Sequence, residues 1–206
     1  MYSTKQRIIE ASVRLFNENG MDSVRLQQIA EEVGISIGNL AYHYKNKEMI
    51  VASVYEQVIE EFNEILRQYL ANPTLADFDS QISQYYHFFL RNHFFLPEFF
   101  KNNRTQLQHQ AEWQACIRKM NIQIRSRLGF MVVQGYLSPE TSDELYDVLS
   151  EQIWMSIAFF VPKCNLTGQP SDEGAYKKCV WGLIKPHFTA HGKQEFYNLI
   201  QSYWWI

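Results

Sequence analysis

Two short helical stripes, joined through a glycine, constrain this chain more than any other feature in it. Leu26, Ile29, Ala30 and Val33 recur at the spacing of one helix face. The stripe is two turns long and stops at Gly34, the residue type that takes the left-handed conformation a sharp helix-to-helix turn needs. Ser36 then stands where a hydroxyl caps a new helix, with Leu40 and Tyr44 at i and i+4 and Asn39, Tyr42 and His43 on the remaining surface. Ahead of the pair, Ile8, Ile9, Val13, Leu15 and Phe16 form a helical stripe that starts after Ser3 or Thr4 and ends at Gly20. Three helices in this order make a helix-turn-helix, whose last helix is shaped to enter a DNA major groove.

The rest of the chain reads as helix throughout, so the fold class is all-α: an N-terminal three-helix helix-turn-helix domain followed by a larger helical domain. The expected boundary is at residue 48, with 1–48 as the reader, a fourth helix over about 47–70 as connector, and 49–206 as the second domain. Further helices are expected at 75–92, 98–103, 105–134, 139–161, 173–190 and 193–204. The breaks rest on Leu96-Pro97, Gly135 with Ser138-Pro139, Val161-Pro162, and Gly168 to Pro170. A hydrophobic fraction of 46% and an aromatic fraction of 15% can fill a sizeable core. Three cysteines, Cys116, Cys164 and Cys179, lack the spacing of a disulfide framework or zinc site. The opening residues run straight into a charged helix, and no apolar run has the length of a signal sequence or membrane span, so a cytoplasmic protein with no membrane partner is expected. No nucleophile elbow, phosphate loop or zinc-protease motif occurs, which argues against an enzyme, and no cofactor is implied.

Charge alone does not announce a nucleic-acid partner. The chain carries a formal −3, and its first fifty residues balance six cations against six carboxylates. DNA binding must therefore come from placement: helix N-termini, hydroxyls and a few cations aimed at phosphates. The runs Gly20 to Ala30, Val33 to Leu40 and Tyr42-His43-Tyr44-Lys45-Asn46-Lys47-Glu48 together resemble the signature of the TetR/AcrR family of transcriptional regulators, without insertion or deletion, over about residues 5–55. The resemblance implies a homodimer that reads a pseudo-palindromic double-stranded operator, with the larger helical domain as a ligand-binding and dimerisation domain, most simply as a repressor released by a small-molecule effector.

Each matched residue has a physical task. Ser36 caps the recognition helix, whose exposed N–H groups face a phosphate. Gly38 lets the helix backbone approach DNA, at a helix cost of about 1 kcal/mol against alanine. Asn39 can pair with adenine and Ile37 can meet a thymine methyl, so these two are the expected base readers. By the resemblance, Tyr42 and Lys47 clamp phosphates, His43 adds a donor, and Gln27 and Gln28 are secondary contacts. Two positions depart from the family pattern. Arg25 stands where a threonine usually caps the second helix, so that the cap is lost or moves to Ser23 while the guanidinium gains reach to a phosphate. Ala41 stands where a tyrosine is usual.

The aromatic tract around Tyr85-Tyr86-His87-Phe88-Phe89 suggests an apolar or aromatic effector. Phe88, Phe89, Phe99 and Trp113 are the expected apolar contacts, and Gln106, His109, Asn121 and Gln152 the polar ones. For the dimer, the resemblance implies a four-helix interface, expected from one helix carrying Leu145, Val148, Leu149, Ile153, Trp154 and Ile157 and the next carrying Tyr176, Val180, Trp181, Leu183 and Ile184. Tyr203-Trp204-Trp205-Ile206 is expected to dock on the body or the partner. His187 and His191 have i, i+4 spacing but no third ligand, so no metal site is expected.

Overall fold

In a computed structural model, residues 3–68, 74–99 and 107–203 are described, and among them ten α-helices form in chain order. They are α1 (Thr4–Asn19), α2 (Leu26–Val33), α3 (Ile37–His43), α4 (Lys47–Arg67), α5 (Leu75–Arg91), α6 (Phe95–Phe99), α7 (Leu107–Val133), α8 (Leu145–Thr167), α9 (Glu173–Ile184) and α10 (Ala190–Tyr203). A 3-10 turn over Lys185–His187 joins the end of α9 to the chain leading into α10. The described chain divides into two compact units, one of residues 1–63 with 91–114, the other of 64–90 with 115–206.

The first unit extends past the residue-48 boundary expected from the sequence. Ile50, Val54, Tyr55, Val58 and Phe62 bury one continuous stripe of α4, so the connector helix is also core. Phe95, His109 and Trp113 belong to this unit as well. The Tyr55 and His109 rings stack at 5.6 Å, and Phe62 and Phe95 each meet Trp113 at 4.9 Å. Asn17 of α1 fastens the turn after α5 at both ends: its amide donates to the Arg91 carbonyl at 2.6 Å, and its side-chain oxygen accepts from the Phe94 N–H at 3.0 Å.

The second unit is built on α8 and α9. Tyr146, Leu149, Ile153, Ile157, Val161 and Cys164 form one buried stripe along α8, facing Tyr176, Val180 and Ile184 of α9 in the same core. Trp181 sits among Phe78, Phe188 and Phe196, with centroids 4.8–6.2 Å apart. Its indole N–H donates to the buried carboxylate of Asp79 at 2.8 Å, whose other oxygen accepts from Lys177 at 2.7 Å. Buried Arg127 donates to Gln81 and lies over the Phe78 ring. Burial raises the Tyr85 and Tyr176 hydroxyls well above the ordinary tyrosine range.

Three expected helix breaks fall elsewhere. Pro97 lies inside α6, in the first turn, where a missing N–H breaks no intrahelical bond. Pro162 lies inside α8, which runs on to Thr167. An interior proline costs about 3 kcal/mol, but each large side chain buried on the α8 stripe is worth roughly 1.5–3 kcal/mol, so the stripe wins. Pro139 does not begin a helix, because Leu137 pairs with Phe188 in an isolated bridge and the Ser138 N–H donates to the His187 carbonyl at 2.9 Å. These pairings hold the segment as a loop until Leu145. The pair His187 and His191 does not share a helix: the first ends the 3-10 turn against Tyr146 and the second opens α10 against Tyr136. Among the described residues no helix is long and apolar enough to cross a membrane, and no group of three His, Cys, Asp or Glu is placed to hold a metal.

Candidate nucleic-acid interface

The reader assembles from local rules. Ser3 caps α1 by accepting from the Gln6 N–H at 3.2 Å, and Gly20 ends it. Gly34 follows α2 at φ 73°, ψ 40°, and its neighbour Ile35 donates back to the Ala30 carbonyl, so the last turn of α2 is satisfied while the chain reverses. Ser36 then caps α3, its hydroxyl accepting from the Asn39 N–H at 3.1 Å. Leu40 alone of α3 is fully buried, and it anchors the helix to a core of Ile8, Phe16, Ile29 and Val33. Everything else on α3 is available to a partner.

That exposed face is unusual for a folded domain. Ile37 is 49% exposed and Tyr42 86%, large apolar surfaces that nothing among the described residues covers. Gly38 lies between them. A Cβ built there meets only the Ser36 hydroxyl, at 3.9 Å, so the fold has room for a side chain and does not require the glycine. Asn39 projects from the same exposed face, and the Tyr42 and His43 rings meet edge to face at 5.2 Å. Lys47, at the start of α4, donates to the Asp22 carbonyl at 3.1 Å, which uses one of its three ammonium hydrogens and fixes where the other two point.

The second helix of the motif departs from expectation at its cap. Arg25 occupies the N-cap position, where its guanidinium has no acceptor to offer, and the reciprocal bond comes from Gln28, whose side-chain oxygen accepts from the Arg25 N–H at 2.7 Å. Ser23 is not what closes this end. Gln28 is therefore committed to the helix start, and Gln27 is bonded to Glu31 at 3.1 Å, while Arg25 remains exposed. Glu32 is paired with Arg14 at 3.0 Å, which withdraws one carboxylate and one cation together and leaves the balance of charge unchanged. Reading the sequence for contacts missed Lys45, exposed in the turn beside Tyr42, and Asn46, whose side chain caps α4 by accepting from the Met49 N–H at 3.0 Å. An asparagine just before Lys47-Glu48 is a helix-start signal that could have found the second.

The other expected site residues scatter. Phe88 and Phe89 are buried in the second unit, whereas His109 and Trp113 are buried in the first. Asn121 donates to Glu151 at 2.7 Å and Gln152 is exposed. Gln106 and the side chain of Phe99 lie outside the described residues, as do Trp204, Trp205, Ile206 and the side chain of Tyr203. Of the residues expected in a dimer interface, Leu149, Ile153, Tyr176, Val180, Trp181 and Ile184 are buried in the protomer's own core, and Leu145 is half-buried. Ile157 is buried as well, Trp154 and Leu183 are half-buried and Val148 is exposed, so the expected residues lie on both faces of their helices. The outward face of α8 carries Val148, Met155, Phe159 and Leu166, between 37% and 88% exposed.

Comparison with known proteins agrees with the geometry. Residues 8–54 match the N-terminal domain described as bacterial regulatory proteins, tetR family. The HTH-type transcriptional regulator YerO of Bacillus subtilis is 42% identical over 59 residues, which are 29% of this chain and 20% of YerO's own length. A TetR-family transcriptional regulator from Marinobacter aquaeolei has the same fold over 97% of this chain and 98% of its own, with a TM-score of 0.80 at 19% identity. A SmeT–triclosan complex aligns over 92% of this chain and 93% of SmeT, with a TM-score of 0.64 at 17% identity. The chain spans only 20% and 40% of the lengths of two curated relatives it matches, YerO and YttP of Bacillus subtilis, so what is matched is a tetR-type N-terminal domain in sequence over residues 8–54 and a TetR-like helical fold across nearly all the chain.

Proposed function

We propose that this chain is a transcriptional regulator that binds operator DNA as a homodimer, acts as a repressor, and is released by a small apolar or aromatic effector. The observation that carries DNA recognition is the exposed face of α3, where Gly38 has no internal reason to be glycine and is flanked by uncovered Ile37, Asn39 and Tyr42. In this reading Ile37 and Asn39 meet base edges, while the α3 N-terminus at Ser36, Tyr42, His43, Lys47, Arg25 and the neighbouring Lys45 hold phosphates. Gln27 and Gln28 serve the helix first and DNA second, because each already has a partner in the fold.

The dimer is assigned to the outward face of α8, with the neighbouring outward face of α9. Val148, Met155, Phe159 and Leu166 recur at intervals of seven and four, a seam that a second copy related by a two-fold axis can cover. Two readers would then face half-sites about one helical turn apart. A small-molecule effector is supported by the structural neighbour seen with triclosan and by the aromatic clusters inside both units. By linkage, such a ligand weakens DNA binding by the factor with which DNA weakens it.

Fluorescence anisotropy with labelled duplex from upstream of the protein's own gene, against a scrambled duplex and across a salt series, tests the reading. Sequence-dependent binding that Gly38→Glu abolishes, with the circular-dichroism melt unchanged, is the expected result. Equal weak binding to both duplexes would refute it.

A further inference from the structure

We infer that a groove on the second unit, lined by Asp79 of α5, Glu173, Gly174, Lys177, Lys178 and Trp181 of α9, Lys185, and Phe196 and Ile200 of α10, is a binding site for an amphipathic organic anion: a carboxylate on an apolar body. The groove encloses about 490 Å³, within the range of small-molecule sites. It is separate from the aromatic cores that the sequence marked for an effector.

The floor is apolar and fixed. The Trp181 and Phe196 rings pack at 4.8 Å, both almost fully buried, and half-buried Ile200 continues the surface one turn further along α10. The indole cannot turn, because its N–H is bonded to Asp79. The rim is cationic. Three lysines face two carboxylates around this groove, in a chain whose formal charge is −3. Both carboxylates are already engaged: Asp79 by Trp181 and Lys177, and Glu173 by Lys177 at 3.6 Å and by the His87 ring at 3.3 Å. Lys178 and Lys185 stand exposed at the edge, and the Lys185 ammonium lies over the Phe196 ring, 4.9 Å from its centroid. An ammonium poised over the apolar floor is where a carboxylate would sit if its hydrocarbon body covered Phe196 and Ile200. A cation would meet Lys178 and Lys185 with like charge, and a neutral alcohol would forgo the charge-assisted hydrogen bond. The site therefore selects by charge at the rim and by apolar area on the floor.

Sodium decanoate is the probe, with decanol and decyltrimethylammonium as neutral and cationic bodies of matched length. Each is titrated below its aggregation limit into the full chain labelled with ¹⁵N at tryptophan, and affinity is read by calorimetry. Decanoate should saturate one site and shift the Trp181 indole resonance, while the other two bind more weakly by on the order of tenfold. Lys178→Gln with Lys185→Gln, two exposed changes that leave the core intact, should lower decanoate affinity by at least that factor and leave the melting temperature unchanged. Absence of saturable decanoate binding, equal binding of decanol, or affinity unaffected by the double variant would each overturn the assignment. The assignment concerns binding alone, so operator binding by the ligand-free protein, measured in parallel, tests the reader separately.

Discussion

Among the described helices α3, α9 and α10 each carry a glycine in the first turn, and the surroundings of Gly38 in α3 and Gly192 in α10 are opposite. In α10, Gly192 lies against the turn after α7: a Cβ there would run into the Tyr136 carbonyl, while the Thr189 hydroxyl, itself bonded to the Gly135 carbonyl, accepts the Gly192 N–H. The interior of the second unit needs that glycine. In α3, a Cβ on Gly38 would touch nothing but the hydroxyl of its own helix cap. In the function proposed above, that glycine, which costs a short helix about 1 kcal/mol, leaves room for the DNA backbone. One residue type thus serves close packing at Gly192 and leaves open surface at Gly38, and only the coordinates tell the two apart.

The comparison breaks first at Gly192. Gly192→Ala forces the start of α10 off the Tyr136 turn and should cost about 3 kcal/mol, at the upper end of overpacking, read as a fall in the urea midpoint. An unchanged midpoint would mean that the turn yields, and the contrast with α3 would fail. A change approaching that size is expected at Asp79, where Asp79→Ala leaves the buried Trp181 N–H without its acceptor and takes from Lys177 one carboxylate while Glu173 remains, about 2 kcal/mol. At Gly38 the sign reverses. Gly38→Ala should stabilise the protein by up to about 1 kcal/mol while weakening operator binding, a combination that no purely structural glycine gives. Ser36→Ala should lose about 1 kcal/mol with the cap and also weaken operator binding, since it disturbs the α3 N-terminus from both sides.

The same contrast explains what the sequence could and could not tell. The bounds of α1, α2 and α3 follow from Ser3, Gly20, Gly34 and Ser36, because caps and left-handed glycines act within a few residues of where they stand. The loop at Pro139 could not be read, because it is held by His187 and Phe188, almost fifty residues away. Pro162 misled for a related reason: a local cost was outweighed by burial along all of α8. The α8 and α9 residues chosen for the dimer are apolar on both faces of their helices, so periodicity does not say which face turns inward. Leu149, Ile153 and Ile157 went to the core, and Val148, Met155 and Phe159 stayed outside. For the reader, side-chain type and spacing placed Asn39, Tyr42 and His43 on the surface that Leu40 and Tyr44 leave free. What they left out was that Gln28 is occupied by the Arg25 N–H.

The outward faces of α8 and α9 give a thiol test. Of the three cysteines, Cys116 and Cys164 are buried and Cys179 is exposed, one turn beyond Ala175 on the outward face of α9. In a dilute monomer a single thiol per chain should react rapidly with a disulfide reagent. If the outward faces of α8 and α9 form the dimer, that rate should fall as protein concentration rises through the dimer dissociation constant, and Leu166→Glu should restore it. A rate independent of concentration, in a protein that sedimentation shows to be dimeric, would move the interface elsewhere.

The smallest effect lies at the start of α5, where Thr74 and Asp77 form a reciprocal cap. The Thr74 N–H and hydroxyl donate to the Asp77 carboxylate at 2.9 and 2.8 Å, and the Asp77 N–H donates to the Thr74 hydroxyl at 3.1 Å. The backbone bond from Thr74, then the hydroxyl bond, hold the Asp77 carboxyl below the ordinary aspartate range. A depressed folded pKa means that the unfolded chain takes up the proton first, so this cap stabilises the fold fully above the unfolded value near 3.9 and loses its effect as pH falls through the folded value. The group is largely in solvent, which keeps the gain small. Urea midpoints measured between pH 5 and pH 2 should therefore fall slightly more steeply for the native chain than for Asp77→Asn, with the two curves converging at the acid end. Parallel curves would show that the cap does not hold in solution, and α5 would then start by packing of Leu75 and Phe78 alone.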